Sequence, residues 1–529
     1  MGVRRVMGIE TELGITSTQL DPAGRPVTPM VLSGQVVRAY AAGAAPGAAL
    51  PSGAGWDYAD ETPLRDARGF EMARALADRS QLTDVEDPTI ATSVLSNGAR
   101  FYVDHAHPEY SSPEVTGPLA AVRYDRAGEE VAWGAVRTLA EEGLEVRLYK
   151  NNVDGKGASY GTHENYLVPR SVPFDRLARL LIPFLVARPV IAGAGRVGIG
   201  QASERPGFQL SQRADYLEAE VGLETTLRRP IVNTRDEPHA TPHLHRRLHV
   251  IVGDATMADV TTYLALGSLS AVLRVIETHP ELLEGMPLAH PVAAARALSH
   301  DPSLQVTVPL ADGREMTGLD LVEAHLEAAE RAAASGHEAW DDPDDTETDE
   351  VLGRWREVLD TLRRDPSQAA GQVEWVAKHQ LLERFRERGG AGWDDPRIAA
   401  MDIQWHDLDP RGAWPASCAP PASWSGWSRR RRSPPPSRSR RRTHGPGSGA
   451  RRCGATARPG ESGRRPGTRW CSSTTGAACA GCAWTSRPAA AGRLSSGCWT
   501  GIPPRRACSP SSPARTSDPG LLPVPATRP

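Results

Sequence analysis

Two glutamates near the N-terminus, Glu10 and Glu12, have a type and spacing that suit metal chemistry. Apolar and polar residues alternate from residue 4 to residue 15, which predicts a strand with Ile9 and Leu13 on its buried face. Carboxylates two residues apart on a strand project in parallel, roughly 7 Å from each other. Because hard cations prefer oxygen ligands, the pair indicates a divalent-cation site. An exposed polar strand face is the alternative that this pattern leaves open.

A second polar cluster lies in residues 97–110. Apolar side chains alternate here with polar ones: Phe101 and Val103 with Arg100, Tyr102 and Asp104. The alternation predicts a strand with one polar face, ended by Pro108 and followed by Glu109 at its mouth. Arginine, tyrosine and carboxylates at one strand end suit a charged ligand, and a surface ion-pair cluster is the alternative.

The third stretch, residues 148–167, is a polar loop between two predicted strands. Gly155, Gly157 and Gly161 make it flexible, and polar loops of this kind often carry function. It is not a Walker phosphate loop, because the Gly-Lys-Ser/Thr ending is absent. His163 and Asn165 alternate at the start of the next strand and could both reach one ligand.

The fourth stretch, residues 233–254, is rich in histidine. The histidines within eleven residues are His239, His243, His245 and His249. They suggest a zinc site, but their spacing fits no helical metal motif, and Pro238 and Pro242 break any helix there. Residues 248–252 read as a buried strand that carries His249.

Helical elements dominate the chain after this point. Apolar residues recur every three or four positions in residues 257–278, 319–334, 351–364 and 372–388. Strands followed by helices favour an α+β domain with a largely antiparallel sheet.

Composition divides the 529-residue chain near Gly412. Residues 413–529 hold 20 Arg, no Lys and two acids, about +18, whereas the remainder carries about −21. All seven cysteines also lie beyond Gly412. The body has no cysteine, and acidic residues near the N-terminus argue against a secretory signal, so we expect a cytoplasmic protein. Since no apolar run reaches eighteen residues, we do not expect it to span a membrane.

Several short motifs in the body together resemble the Pup ligase/deamidase family. They are Met-Gly-Ile-Glu-Thr-Glu at 7–12, Asn-Gly-Ala-Arg at 97–100, His-Pro-Glu-Tyr at 107–110, Tyr-Gly-Thr-His-Glu-Asn-Tyr at 160–166 and Asn-Thr-Arg-Asp-Glu-Pro-His at 233–239. The resemblance covers roughly residues 3–410. It implies a glutamine-synthetase-like fold, with a curved antiparallel sheet flanked by helices, that binds ATP and Mg²⁺.

Within that family the sequence resembles the hydrolase branch more than the ligase branch. An insertion at about residues 43–96 is expected in the hydrolase only, and residues 103–107 and 153–157 match the hydrolase pattern. The resemblance implies an ATP/Mg-dependent enzyme that deamidates the C-terminal Gln of Pup and removes Pup from lysines of tagged proteins. Its partners would be Pup, pupylated proteins and the proteasome pathway.

The resemblance also implies roles for individual residues. Metal-site positions are Glu10, Glu12, Tyr102, Glu109, His163 and His249. Nucleotide-side positions are Arg100, Ser111, Ser112 and Asn165, together with Asp57 and Tyr58 from the insertion. Arg213 matches a substrate- or phosphate-side cation, and Asp104 matches the catalytic aspartate, as nucleophile or as general base.

The tail, residues 413–529, allows two interpretations. Its arginine clusters suit a basic arm that binds nucleic acid, but six Trp and seven Cys are unusual in a solvated arm. Alternatively, the tail is an out-of-frame remnant of the family's small C-terminal domain. Shifted back-translation of residues 423–428 and 466–470 gives Leu-Glu-Arg-Leu-Val and Trp-Asp-Ser-Val, which resemble that domain. We therefore expect a catalytic domain at 1–412, a disordered aberrant tail at 413–529 and no specific nucleic-acid partner.

Three other functions remain open at this point. A Pup–protein ligase is the alternative within the family. A zinc hydrolase would use the four histidines of residues 239–249, and a nucleic-acid-binding protein would use the tail.

Overall fold

A computed structural model describes residues 2–43, 64–76, 91–236, 240–342 and 345–409. The strands are β1 (Met7–Glu12), β2 (Gly14–Ser17), β3 (Thr92–Val94), β4 (Arg100–Asp104), β5 (His107–Ser111), β6 (Val146–Tyr149), β7 (Thr162–Pro169), β8 (Arg196–Ile199), β9 (Arg205–Gln209), β10 (Ala219–Gly222), β11 (Pro230–Asn233), β12 (His245–Val250), β13 (Thr307–Pro309) and β14 (Glu315–Thr317). The helices are α1 (Pro29–Gly43), α2 (Pro118–Glu141), α3 (Phe174–Ala187), α4 (Pro189–Ala192), α5 (Asp259–Thr278), α6 (Pro291–Ser299), α7 (Gly318–Ala333), α8 (Thr348–Arg364), α9 (Glu374–Gly389) and α10 (Pro396–Gln404).

Six strands form the central sheet in the order β12-β7-β1-β5-β4-β3. Each neighbouring pair in it is antiparallel. Side chains alternate between the two faces of a strand, so each strand presents one set of residues to the core and the other set to the opposite face. The α+β class and the antiparallel sheet predicted from the sequence are confirmed.

Helices cover one face of this sheet. The strand residues Phe101 and Val103 pack in one apolar cluster with residues of α1 and α2, and Tyr166 and Leu248 pack in a second cluster with α3, α5, α7 and α8. Gly128 of α2 lets the helix approach β5 closely, because a Cβ atom there would lie 2.5 Å from the Tyr110 ring. Other side chains of these strands, among them Arg100, Tyr102, Glu10 and His163, lie on the opposite face, which is uncovered as far as the described residues go.

Two details of the predicted strands were wrong. The N-terminal strand ends at Glu12, and the chain continues as β2, which pairs with β6 outside the central sheet. Pro108 does not end the strand before it but lies inside β5, opposite Val103. The reversal occurs earlier, at residues 105 and 106. Pro108 has no N–H to donate, but its carbonyl accepts the Leu13 N–H at 2.9 Å.

The four predicted late helices are confirmed as α5, α7, α8 and α9. By length and composition α5 could cross a membrane, but 89% of its apolar stretch is buried inside the protein. The core helix of a soluble protein passes the same test, so α5 is weak evidence for a span. The predicted strand at 248–252 is β12, which begins earlier and ends at Val250.

The last described residues are part of the body. Leu408 N–H donates to the Leu148 carbonyl at 3.0 Å, and Lys150 N–H donates to the His406 carbonyl at 2.9 Å, so this segment extends the β2–β6 sheet. The expected tail, 413–529, lies outside the described residues, as does most of the expected insertion at 43–96.

Candidate active site on the open face of the sheet

The strand register brings residues from distant parts of the sequence into rows across the uncovered face. One row runs from Arg100 to Ser111, Glu10 and His163 on four adjacent strands. A second row joins Tyr102, Glu109 and Glu12. Asn165 pairs with His249 on the outer strand β12. The antiparallel sheet therefore assembles most of the residues that the sequence motifs singled out.

The first cluster on this face surrounds Glu10. His163 Nδ1 lies 3.5 Å from Glu10 Oε2, and the Asn165 side-chain amide donates to Glu10 Oε1 at 3.0 Å. The imidazole of His249 contacts Asn165 Oδ1 at 2.9 Å, and its ring centroid is 4.9 Å from that of His163. Ligand atoms of Glu10, His163 and His249 lie within 4.8 Å of one another, close enough to hold one cation.

The second cluster combines Glu12 with the β4–β5 hairpin. Ligand atoms of Glu12, Asp104 and His105 lie within 4.8 Å of one another. Glu12 also accepts the Gly161 N–H at 2.7 Å and contacts His107 Nδ1 at 3.1 Å. Asp104 lies next to the turn of the β4–β5 hairpin, at the edge of the cluster of acidic side chains. Its side chain is 40% exposed and is therefore accessible to a substrate.

Glu109 is the most constrained carboxylate of the site. It is 2% exposed, and none of the described residues donates a hydrogen bond to its Oε2 atom. Burial and the nearby carboxylates of Asp104, Glu12 and Glu10 raise its pKa well above the usual range. A buried oxygen without a donor, among like charges, fits a site that binds a cation.

The pKa values of Glu10 and Asp104 are lowered, whereas that of Glu109 is raised. Burial would raise the pKa of Glu10, but the hydrogen bond from His163 and the charge of Arg247 lower it on balance. Partial burial likewise opposes the shift at Asp104, but its pKa is lowered by the hydrogen bond with His105. Asp104 is therefore held as a carboxylate, the form needed for a general base or a nucleophile.

The predicted nucleotide-side residues divide into two groups. The Arg100 guanidinium stacks 4.0 Å from the centroid of the Tyr102 ring, and Ser111 Oγ lies 3.2 Å from the Tyr102 hydroxyl, so both border the carboxylates. Ser112 instead accepts the Ile9 N–H at 3.0 Å and donates to the Pro113 carbonyl at 3.1 Å. Its hydroxyl is thus occupied by backbone groups.

Arg213 lies buried behind the loop that precedes β7. It donates to Ser159 Oγ at 2.9 Å and to the backbone carbonyls of Tyr160 and Ile251. Burial and the neighbouring Arg229 lower its pKa to about 10. Within the described ranges no carboxylate lies at salt-bridge distance from Arg213. An anion bound on this side of the site would pair with the guanidinium and offset the free-energy cost of burying its charge.

Some predicted positions do not join this arrangement. Asp57, Tyr58 and His239 lie outside the described residues. His243 is exposed, and neither it nor His245 belongs to a group of metal-ligating atoms in the part of the chain that the structure describes. Of the three histidines that the structure describes in this stretch, His249 alone joins the cluster around Glu10, so these three do not form a zinc site with one another.

Three residues of the site were missed in the sequence. Arg247 donates to Asn165 Oδ1 at 2.9 Å, His107 contacts Glu12, and His105 contacts Asp104. Strand alternation could have revealed the first two, because each lies two residues from a predicted site residue on the same face. His105 lies in the turn, where alternation carries no information.

Gly161 gives a test of the assembled geometry. A Cβ atom at this position would lie 2.1 Å from His163 Nε2 and 2.8 Å from Glu12 Oε1. We expect Gly161→Ala to displace His163 and weaken divalent-cation binding by roughly tenfold or more, by analogy with ligand-orienting substitutions at metal sites. Titration calorimetry with the cation alone measures this.

The matched control is Gly353→Ala in α8, where a Cβ atom would meet nothing within 4 Å. It should bind the cation like the unsubstituted chain. Equal cation affinity in both variants would remove Glu12 and His163 from the site.

Known proteins are similar to the part of the chain that holds this site. The sequence profile of the family described as Pup-ligase protein matches residues 5–416. The chain is 51% identical over 410 residues to a depupylase of Acidothermus cellulolyticus, covering 77% of this chain and 79% of that protein. It is 49% identical over 411 residues to a Pup deamidase/depupylase of Mycobacterium tuberculosis, with the same two coverages. A Pup–protein ligase of Acidimicrobium ferrooxidans is 44% identical over 322 residues, 59% of this chain and 69% of the ligase.

Two solved structures are also similar. The crystal structure of a complex between the prokaryotic ubiquitin-like protein Pup and its ligase matches with a TM-score of 0.60 and 33% identity, over 77% of this chain and 74% of that one. A structure of the Pup ligase in complex with ADP matches with a TM-score of 0.53 and 38% identity, over 59% of this chain and 69% of that one.

Proposed function

The chain belongs to the Pup-ligase protein family, and we infer that it is a Pup deamidase and depupylase. It hydrolyses the side-chain amide of the C-terminal Gln of Pup, and it cleaves the isopeptide bond between Pup and a lysine of a tagged protein. The observation that carries this conclusion is the extent of similarity: the match to the hydrolases spans 410 residues, against 322 for the ligase. Its partners are Pup and pupylated proteins, in the pathway that leads to the proteasome.

The described part of the expected insertion supports the hydrolase branch. Residues 64–76 fold against residues 233–236: Thr234 Oγ1 donates to Asp66 at 2.6 Å, and Asp236 N–H donates to the Arg65 carbonyl at 3.0 Å. Asp66 also forms an ion pair with Arg68 at 2.8 Å. The described part of the insertion is therefore anchored to the body.

The chemistry needs one activated oxygen and one departing nitrogen. Hydrolysis breaks the C–N bond, adds a water oxygen to the carbonyl carbon and delivers a proton to the leaving ammonia or lysine. Asp104 suits the first task because it is ionised, partly exposed and at the edge of the site. It can accept the proton of the attacking water, or attack the carbonyl carbon itself and be released by water.

The family uses adenine nucleotide, as the ADP complex of the ligase indicates, and we assign ATP to this chain as well. We further propose that Mg²⁺ accompanies it, held by Glu10, Glu109, His163 and His249, with Glu12 and Tyr102 beside it. The orphaned Glu109 oxygen is the structural reason for this assignment. When bound, magnesium neutralises the carboxylates and polarises phosphate oxygens. Arg100, Ser111, Asn165 and Arg213 are proposed to face the nucleotide or the substrate.

The magnesium assignment predicts the effect of two substitutions. Glu10→Ala and Glu109→Ala should each weaken magnesium-dependent ATP binding, because each removes a hard oxygen ligand. Isothermal titration with ATP, with and without magnesium, measures it, and Glu114→Ala on the exposed segment after β5 is the control. If both site variants keep the magnesium dependence of the unsubstituted chain, the assignment is wrong.

Two remaining properties are also proposals. We place the domain boundary near residue 412, because the family profile ends at 416 and the body is still hydrogen-bonded at Leu408. We also propose a cytoplasmic location, because the body has no cysteine and has acidic residues near its N-terminus. Helix α5 is long enough to cross a membrane but is mostly buried.

The function itself is tested with Pup that ends in Gln. The purified chain, given ATP and magnesium, should release ammonia and convert that Gln to Glu, as read by intact-mass spectrometry. Absence of ammonia release from a folded, ATP-binding chain would count against the deamidase activity.

A further inference from the structure

The turn that follows Asp104 has an unusual backbone. The hairpin pair Asp104–His107 leaves two residues, His105 and Ala106, to reverse the chain between β4 and β5. His105 has a φ of 52°, in the left-handed region. That region is unfavourable for L-residues other than glycine, and asparagine, aspartate and histidine enter it most readily. Glycine would make the same turn with less strain, so the imidazole at this position calls for an explanation.

The imidazole is not needed to fix the turn. The turn is anchored through its backbone, because Ser33 Oγ of α1 donates to the Ala106 carbonyl at 2.8 Å. Beyond the turn, the Pro108 carbonyl accepts the Leu13 N–H at 2.9 Å. Both contacts would survive removal of the His105 side chain.

The side chain instead contacts the carboxylate that does the chemistry. His105 Nδ1 lies 3.0 Å from Asp104 Oδ2. Both side chains are about 40% exposed, so close packing alone does not fix the orientation of the Asp104 carboxylate. A hydrogen bond to one carboxylate oxygen limits rotation about the Asp104 Cβ–Cγ bond and leaves Oδ1 as the oxygen that meets the substrate.

We propose that His105 is a positioning residue, which donates from Nδ1 to Asp104 Oδ2 and holds the carboxylate in its reactive orientation. This inference rests on the proposed amide hydrolysis. A reacting group held within a narrow range of orientations reacts faster without binding substrate more tightly. The effect is therefore expected in kcat, with KM for Pup and the affinity for ATP unchanged.

Two substitutions separate the side chain from the turn. His105→Gly keeps the left-handed backbone and removes the hydrogen bond. His105→Asn also tolerates this backbone and carries a side-chain amide that can donate to the carboxylate. We expect both variants to melt like the unsubstituted chain, His105→Gly to lose tenfold or more in kcat, and His105→Asn to recover most of that loss.

Three results would overturn the proposal. They are a His105→Gly variant with undiminished kcat, a His105→Asn variant as slow as His105→Gly, and a change confined to KM. If the unsubstituted chain itself does not hydrolyse Pup amides, the proposed function fails instead. Crystal structures of the unsubstituted chain and His105→Gly then decide the positioning role, which an unchanged Asp104 carboxylate orientation in the two would refute.

Discussion

Asp104→Asn is expected to reduce Pup deamidation by roughly 10²–10⁴-fold, the range typical of losing a general base. The substitution keeps the size of the side chain but removes the charge that accepts a proton or attacks the carbonyl carbon. Asp104 is the last residue of β4 and lies at the edge of the acidic side chains, whereas Glu10, His163 and His249 form the separate cluster around Glu10. ATP binding should therefore remain nearly intact, and Asp104→Ala should behave in the same way. Ammonia release and titration calorimetry with ATP measure the two properties on one preparation.

A surface aspartate provides the control for this experiment. Asp360→Asn changes the same functional group on an exposed position of α8, far along the chain from the sheet. It should leave both deamidation and ATP binding unchanged. Deamidation by either Asp104 variant within tenfold of the unsubstituted chain would refute the catalytic assignment.

The second large effect concerns the tail. We expect a version of the gene with the reading frame restored after the Gly412 codon to encode a better enzyme than the chain as it stands. Residues 413–529 combine 20 Arg with six Trp and seven Cys, and the hydrolase matches leave about a fifth of each relative's length unmatched. In the ligase branch a Trp of the small C-terminal domain is expected against the nucleotide. Restoring such an aromatic contact should contribute roughly 1–3 kcal/mol to ATP binding, by analogy with base stacking.

Three measurements compare the two forms. The restored chain should bind ATP more tightly, deamidate Pup faster and show a sharper melting transition, because a lost domain also leaves apolar surface uncovered. Equality of the two forms in all three would mean that the tail is a genuine part of the protein. Resequencing the gene around the Gly412 codon gives an independent answer. A salt-sensitive affinity for DNA that disappears on deleting 413–529 would favour the basic-arm interpretation instead.

The site could be predicted from the sequence only in part. Alternation correctly placed Glu10 and Glu12 on one face of β1, and Arg100, Tyr102 and Asp104 on one face of β4, because each pattern depends on a single strand. The rows that join those strands depend on register between segments far apart in the chain. Local pattern carries no information on register, so only the family resemblance linked them before the structure did.

The sequence also does not predict the position of one turn or the presence of one helix. The sequence predicts that Pro108 ends a strand, but the reversal is made by His105, whose left-handed backbone has no signature in the sequence. Helix α3 is not predicted, although Asp175, Arg176 and Arg179 give its first half an exposed polar side. Its second half is buried and contains Pro183, and proline inside an apolar run argues against a helix. The amphipathic helices α7 and α8 had a helical period of apolar residues and were found.

The fate of Pup linked to a carrier protein through a lysine distinguishes a depupylase from a ligase. The chain, and its frame-restored form beside it, is incubated with this conjugate, ATP and magnesium, and the products are separated by gel and identified by mass. We predict free carrier and free Pup ending in Glu, with both products absent for Asp104→Asn. A conjugate that stays intact, together with attachment of Pup to carrier lysines when free Pup ending in Glu is supplied in a parallel reaction, would show a ligase and contradict the depupylase assignment.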